Sequence, residues 1–322
     1  MESFKAEMVH PEIANLMDRF SRLELHAAHS GREVFRVLKL LINESQETSL
    51  TDLSEDVHEN VRVLLSALPA YAPPFNNINR VLLLLEEAEA EELSLQEVRR
   101  RLDDMEEGAP DPVANCHKIV TALESVMPPE AVVYTHTLSE TVLGVLAEFT
   151  RMRYLKRVNV TESRPNQDGW MTATRLAGLG LEVYLTVDAA MPEVIQGADL
   201  MLSGAEVINP DGSVVGKVGA SVAALCCREY GKPVYIVADT NKILFAQRKD
   251  FFLSPINSRD LGLESVPPGL QVSGSFFDIT PAALISGYAT ERGLVQAAEI
   301  PALVPDWRVS RWLAEDAASP DD

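Results

Sequence analysis

The sequence predicts an α/β protein, a helical N-terminal domain followed by a doubly wound parallel-sheet domain, and three observations predict it. Up to Val126, apolar side chains recur at helical spacing in segment after segment. From Met127-Pro128-Pro129 onward, β-branched apolar runs alternate with helical segments, the pattern of a parallel sheet wrapped by helices. The strands of this second part end in polar residues, and in an open parallel sheet the carboxyl ends of the strands converge on one crevice. The boundaries are set at residues 1–127 for the helical part, 128–312 for the sheet part and 313–322 for an acidic, solvated tail.

In the first part, helices are expected over Ile13 to Leu25, over Val34 to Ile42 after a Ser30-Gly31 start, and over Leu50 to Leu68 with Ser49 and Thr51 as caps. Pro73-Pro74 marks a break between Pro69 and Phe75. Helices then follow over Asn76 to Ala90, Leu93 to Met105 and Pro112 to Val126. In the second part, strands are expected at Ala131 to Thr135, Arg157 to Thr161 and Leu181 to Val187. Helices are expected at Ser139 to Met152, Gly169 to Leu179 and Met191 to Gln196.

Val194 to Lys242 reads as a β-loop-α-β unit: an apolar run ending in Gly197-Ala198-Asp199, a Gly-rich loop with Lys217, a helix from Gly219 and an apolar run closing at Asp239. A helix start at the carboxyl edge of a sheet offers unpaired N–H groups and partial positive charge, so with Lys217 it suits an anion such as phosphate. Glycines in such a turn equally serve the turn itself. The spacing matches neither the lysine-bearing phosphate loop nor a dinucleotide fingerprint.

A net charge of −20 and a pI near 4.7 disfavour nucleic-acid and anionic-membrane partners. Only eight of the 28 basic residues are lysine, as a salt-rich cytoplasm with strong screening would favour. Three cysteines form no disulfide framework, the charged stretch Met1 to His10 has no leader-like apolar core, and no apolar run is long enough to span a membrane. The expectation is a soluble cytoplasmic protein. His26 and His29 lack a third ligand nearby, so neither metal nor cofactor is expected.

Seven motifs stand in order: Val133-Tyr134-Thr135-His136, Glu162-Ser163-Arg164-Pro165, Val187-Asp188-Ala189-Ala190, Gly197-Ala198-Asp199, Gly216-Lys217-Val218-Gly219, Gly231-Lys232-Pro233-Val234 and Phe277-Asp278-Ile279-Thr280-Pro281. In these the chain resembles the alpha, beta and delta regulatory subunits of eukaryotic initiation factor 2B and their archaeal homologues, with ribose 1,5-bisphosphate isomerase and methylthioribose 1-phosphate isomerase. The resemblance implies a helical domain joined to a Rossmann-like domain, and dimers or hexamers built from dimers. For the isomerases it implies a catalytic cysteine and aspartate. The aspartate of the Gly-Ala-Asp motif maps to Asp199, but Thr137 stands in the place of the cysteine. Gly216 replaces an asparagine before the lysine, and the loop from Leu202 to Asp211 is longer than the family's.

By resemblance Arg164 binds the substrate phosphate, with a salt bridge to Glu162 or Asp188 as the alternative. Lys217 either binds phosphate or faces solvent. Asp188 and Asp199 either join the site or cap the following segment. His136 is expected as a hydrogen-bonded pocket residue, and Ser30, Gly31 and Arg32 either close the pocket or cap a helix. Since a threonine hydroxyl is a far weaker acid than a thiol, the leading reading is a non-catalytic regulatory protein with a sugar-phosphate or nucleotide pocket, with initiation factor 2 subunits as the partners the resemblance suggests. The alternatives are a ribose 1,5-bisphosphate isomerase rearranged around Asp199 and a purely structural oligomer.

Overall fold

The computed structural model describes residues 9–22, 24–25, 27–69, 71–109, 111–244, 254–304 and 308–316. The chain divides into two compact units, one formed by residues 1–109, 244–251 and 306–322, the other by residues 110–243 and 252–305.

The helical unit contains α1 (Pro11–Ser21), α2 (Ala27–Glu44), α3 (Leu50–Ala67), α4 (Ala72–Ala90) and α5 (Leu95–Glu107). Ser49 caps α3 and Ser94 caps α5, each through its hydroxyl to a backbone N–H in the first turn. The principal packing is α2 along α4. There a Cβ on Gly31 would lie 2.6 Å from the Pro73 Cβ, so the glycine lets the two helices approach. Ser30 and Gly31 therefore lie inside α2, not at its start, and their expected capping role is corrected. Pro73 and Pro74 likewise do not exclude a helix. They fall in the first turn of α4, where a missing N–H costs no intrahelical bond.

The sheet unit opens with α6 (Pro112–Leu123), which packs on the sheet helices and strands, so the division falls near residue 110 and not at 127. It continues with β1 (Ala131–Thr135), α7 (Glu140–Arg151), β2 (Leu155–Thr161), α8 (Asp168–Gly178), β3 (Glu182–Thr186), α9 (Met191–Gln196) and β4 (Leu200–Ser203). A hairpin, β5 (Val207–Ile208) and β6 (Val214–Lys217), precedes α10 (Ala220–Glu229) and β7 (Val234–Val237). The remaining strands are β8 (Phe277–Thr280), β9 (Gly287–Thr290) and β10 (Gly293–Val295). Last comes α11 (Arg311–Asp316), part of the helical unit, where the sequence suggested a solvated tail. The side chain of Asn79 on α4 both donates to Arg308 O at 2.9 Å and accepts from Ser310 N at 2.8 Å, and Trp312 stacks on His58.

Seven strands form one sheet in the order β10-β9-β7-β4-β1-β2-β3, parallel except for β10. Strands β5, β6 and β8 form a small antiparallel sheet. Alternate residues of the central strands feed two cores. On one face Val133, Val158, Leu200 and Leu202 pack with α6, α7 and α8. On the other Tyr134 and Met201 pack with α9 and α10. The Gly-rich stretch expected as a loop is largely the β5–β6 hairpin, which leaves the β4–α10–β7 crossover intact.

At the carboxyl end of β2 the chain turns sharply into α8. A Cβ on Gly169 would stand 1.8 Å from Thr161 O, a contact that only a missing side chain avoids. Gly169→Ala is expected to cost about 3 kcal/mol through a forced backbone shift, read as a lowered urea midpoint.

Candidate functional site

Strand β1 connects outward through β2 to β3, whereas β4 lies on its other side, so the topology reverses between β1 and β4. A crevice opens at such a switch point, beyond the carboxyl ends of the strands. The chain brings there His136 and Thr137 after β1, Ser163 and Arg164 after β2, Asp188 after β3, Gly204-Ala205-Glu206 after β4 and Asp239 to Lys242 after β7.

His136 is almost fully buried and ties these ends together. Its Nε2 lies 2.8 Å from Val218 O, which only accepts, so Nε2 carries the proton. Nδ1 is then free to accept, with Thr161 Oγ1 at 2.9 Å and Ser163 Oγ at 3.2 Å. Burial holds the imidazole below its ordinary pKa, consistent with this neutral form. Beneath it Tyr134 and Thr161 exchange a hydroxyl hydrogen bond of 3.1 Å. A Cβ on Gly219 would come within 2.8 Å of Nε2, and Gly219 adopts φ +101°, so two constraints call for glycine at this turn. His136 is thus the hydrogen-bonded residue the sequence suggested.

The groups able to receive an anion already hold carboxylates of the chain. At the start of α10, Asp278 accepts from Gly219 N at 2.8 Å, Ser221 N at 3.3 Å and Ser221 Oγ at 2.8 Å. The helix end expected to offer open N–H groups is therefore capped from β8, and burial raises the Asp278 carboxyl above its ordinary pKa despite these donors. Asp188 accepts from Ser163 N at 2.9 Å and Arg164 N at 2.8 Å. It holds the turn after β2 instead of capping the segment that follows it.

Lys217 does not face solvent. Its Nζ pairs with Asp168 at 2.9 Å, and both side chains are nearly buried, at 10 % and 13 % exposure. Phe276 and Phe277 present their rings to the same ammonium at 5.7 and 5.5 Å. Thr137 Oγ1 approaches Asp168 at 3.5 Å, and its backbone N–H donates to Ser163 Oγ at 2.7 Å. Arg164 is exposed, and among the described residues its guanidinium forms no ion pair; neither Glu162 nor Asp188 takes it up. Beside this turn lies an open groove of about 340 Å³ lined by Glu162, Gln167, Trp170, Leu185, Thr186 and Val187.

Asp199 is not at this edge. Gly197-Ala198-Asp199 is the turn from α9 into β4, and Asp199 stands at the amino end of that strand. There its backbone N–H donates to Val132 O and its carboxylate accepts from Val132 N, each at 2.8 Å. The apolar run before it is the end of α9, which misled the sequence reading. A second triplet, Gly204-Ala205-Glu206, occupies the carboxyl end of β4, and Glu206 lies 3.6 Å from Lys242 Nζ. That repeat of glycine, alanine and acid was the available signal. Asp168 and Lys242 are further crevice residues that no motif singled out, and Asp278 stands in the seventh motif, which had assigned it no role.

Ser30 and Gly31 belong to the helical unit, where Asn77 Nδ2 donates to Gly31 O at 2.8 Å. None of the cysteines lies at these strand ends: Cys116 is on α6, and Cys226 and Cys227 are on α10. Burial raises all three thiols, Cys227 to about 12. No group of three or more potential ligands is placed to hold a metal among the described residues, and His26 lies outside them. No described helix is long and apolar enough to cross a membrane.

A family model, the initiation factor 2 subunit family, matches residues 26–297. The chain is 28 % identical over 271 residues to a putative translation initiation factor eIF-2B subunit 2-like protein of Pyrococcus furiosus, covering 83 % of this chain and 89 % of that one. It is 25 % identical over 305 residues to the ribose 1,5-bisphosphate isomerase of the same organism, covering 89 % and 91 %. Among solved structures, the Pyrococcus horikoshii translation initiation factor eIF-2B superposes with a TM-score of 0.69 at 21 % identity, over 89 % of this chain and 98 % of that one. The tetrameric eIF2B-beta2-delta2 complex of C. thermophilum gives 0.72 at 20 % identity, over 92 % and 94 %. At these identities the structures establish the fold alone.

The buried state of His136 has a pH consequence. Its folded pKa lies below the ordinary value of 6.5, so on acidification the unfolded chain takes up a proton before the folded one does. Its contribution to stability is full above about pH 6.5 and declines as the pH falls toward the folded pKa. His58 shifts in the same direction, so the comparison must be with a variant. His136→Gln, which keeps a donor for Val218 O, is expected to show a shallower loss of urea stability between about pH 6.5 and 5 than the wild type.

Proposed function

The chain belongs to the initiation factor 2 subunit family, and from that premise we propose that it is a non-catalytic, ligand-sensing member whose crevice receives a phosphate ester. The observation that carries the reading is Thr137. It stands at the carboxyl end of β1 where the isomerases are expected to present a cysteine, and the nearest candidate proton acceptor, Asp168, is engaged by Lys217. A threonine hydroxyl supplies no thiolate, and the raised thiols on α6 and α10 sit elsewhere. Asp199 at the amino edge offers no acid or base to a ligand at the opposite edge.

Arg164 is the residue proposed to meet the ligand's phosphate, because among the described residues its forked donors are uncommitted and suit a phosphate bidentately. The adjoining groove gives room for the body of a sugar or nucleoside. His136 and Asp188 position this wall without touching ligand. A sensor must report to a partner. Support for self-association comes from Val222 and Leu225 on α10 and Ile279 on the contacting strand β8, which expose apolar side chains at 52 %, 43 % and 50 %. The acidic, lysine-poor composition supports a salt-rich cytoplasm as its setting.

One observation favours the isomerase alternative. Glu206 and its partner Lys242 place a carboxylate and an ammonium at the end of β4, the kind of pair that moves protons in an aldose-ketose conversion.

Incubating the purified protein with ribose 1,5-bisphosphate distinguishes the two. No ketose is expected, and turnover abolished by Glu206→Gln would overturn the regulatory reading. Arg164→Ala is expected to weaken binding of a sugar phosphate by about thirtyfold, the loss of roughly 2 kcal/mol from a charged hydrogen-bonded contact, with melting temperature unchanged. Leu225→Glu is expected to shift the protein toward monomer in sedimentation, and an unaltered assembly would remove α10 from the interface.

A further inference from the structure

Three acidic residues occupy anion-receiving positions in the crevice, and they are not held equally. Asp278 is fixed by two backbone N–H groups and one hydroxyl, and Asp188 by two backbone N–H groups. Among the described residues, Asp168 has the Lys217 ammonium at 2.9 Å and a long approach from Thr137 Oγ1 at 3.5 Å, and no backbone N–H. It is the carboxylate that can leave without uncapping a helix or releasing a turn.

Resting on the reading of the crevice as a phosphate-ester site, we propose that Asp168 is an internal competitor for the ligand's anionic group. Its carboxylate holds Lys217 in the empty state, and the bound anion takes its place on the ammonium. The surroundings fit an exchange of this kind. Lys217 Nζ lies 5.7 and 5.5 Å from the ring centroids of Phe276 and Phe277, so the ammonium keeps favourable neighbours when its carboxylate turns away. The main chain around Asp168 does not follow the movement, because Gly169 is locked against Thr161 O and its N–H donates to Glu162 O at 3.1 Å. Gln167, the residue before Asp168, and Thr137, whose Oγ1 approaches its carboxylate, are both in left-handed conformations, at φ +61° and +63°. The exchange is therefore a side-chain rotation at the first residue of α8 within a fixed backbone.

Because the pair is nearly dry, its attraction is little screened and the competition is strong. Asp168 thus sets a threshold: an anion that offers Lys217 less than a carboxylate does is refused. Phosphate, with three oxygens and more charge than one carboxylate, passes. A simple carboxylate ligand exchanges like for like and gains nothing at this position.

Calorimetric titration with inorganic phosphate, and in parallel with acetate, tests the assignment on wild type, Asp168→Asn and Lys217→Met. Asp168→Asn is expected to bind phosphate about tenfold more tightly than the wild type, equivalent to about 1.4 kcal/mol, and to gain measurable affinity for acetate. Lys217→Met is expected to lose phosphate binding. No gain in Asp168→Asn overturns the proposal. Whether the wild type binds phosphate, and loses it in Arg164→Ala, then tells separately whether the crevice reading stands. Should Asp168→Asn fail to fold with Lys217 uncompensated, recovery of folded protein in phosphate but not in chloride at equal ionic strength supports the proposal. Failure to recover in either salt overturns it.

Discussion

The crevice of this protein depends on the pairing of its anion-receiving groups with the chain's own carboxylates. A helix start, the ammonium of Lys217 and the N–H groups of the turn after β2 would each attract phosphate if left open. Asp278, Asp168 and Asp188 respectively fill them. Each pair is also structural. The Asp278 contacts fasten β8 to α10, the Asp168 contact fastens α8 to β6, and the Asp188 contacts fasten β3 to the end of β2. The cost of leaving buried donors and cations unsatisfied is what fixes the loops of this edge in one arrangement.

His136 extends that arrangement inward. Its two ring nitrogens bridge the end of β2 and the residue before Gly219, so the topological switch point and the turn from β6 into α10 are joined through one neutral imidazole. Space at this junction is rationed by glycine. Neither Gly169 nor Gly219 tolerates a Cβ without displacing backbone or the imidazole. Left-handed Thr137, Ser163 and Gln167 surround the same point, the concentration of local strain that a preorganised site tends to carry.

Membership of a family that includes both initiation-factor subunits and sugar-phosphate isomerases leaves the chemistry to be read from individual residues. Thr137 at the end of β1 removes the thiol, while Glu206 at the end of β4 keeps a carboxylate. The crevice thus holds a carboxylate–ammonium pair at the end of β4 and a hydroxyl at the end of β1. In this chain of net charge −20, Lys217 is paired with Asp168, and among the described residues the Arg164 guanidinium forms no ion pair.

The sequence by itself determined the two-part architecture, because hydrophobic spacing is a local property that each element carries alone. Strand β1 and helices α3, α7 and α8 fall where periodicity puts them, α3 with the cap expected at Ser49. It also placed His136, Arg164 and Asp188 at one sheet edge, because polar residues after an apolar run mark a strand's end. It misplaced Asp199, because an apolar run before a Gly-Ala-acid triplet looks the same whether it is a strand ending or a helix leading into one. Only the tertiary structure decided which carboxylate meets which cation. Asp168 and Lys217 are 49 positions apart and Gly219 and Asp278 are 59 apart, and no local pattern encodes a contact made by the crossing of a sheet with its helices.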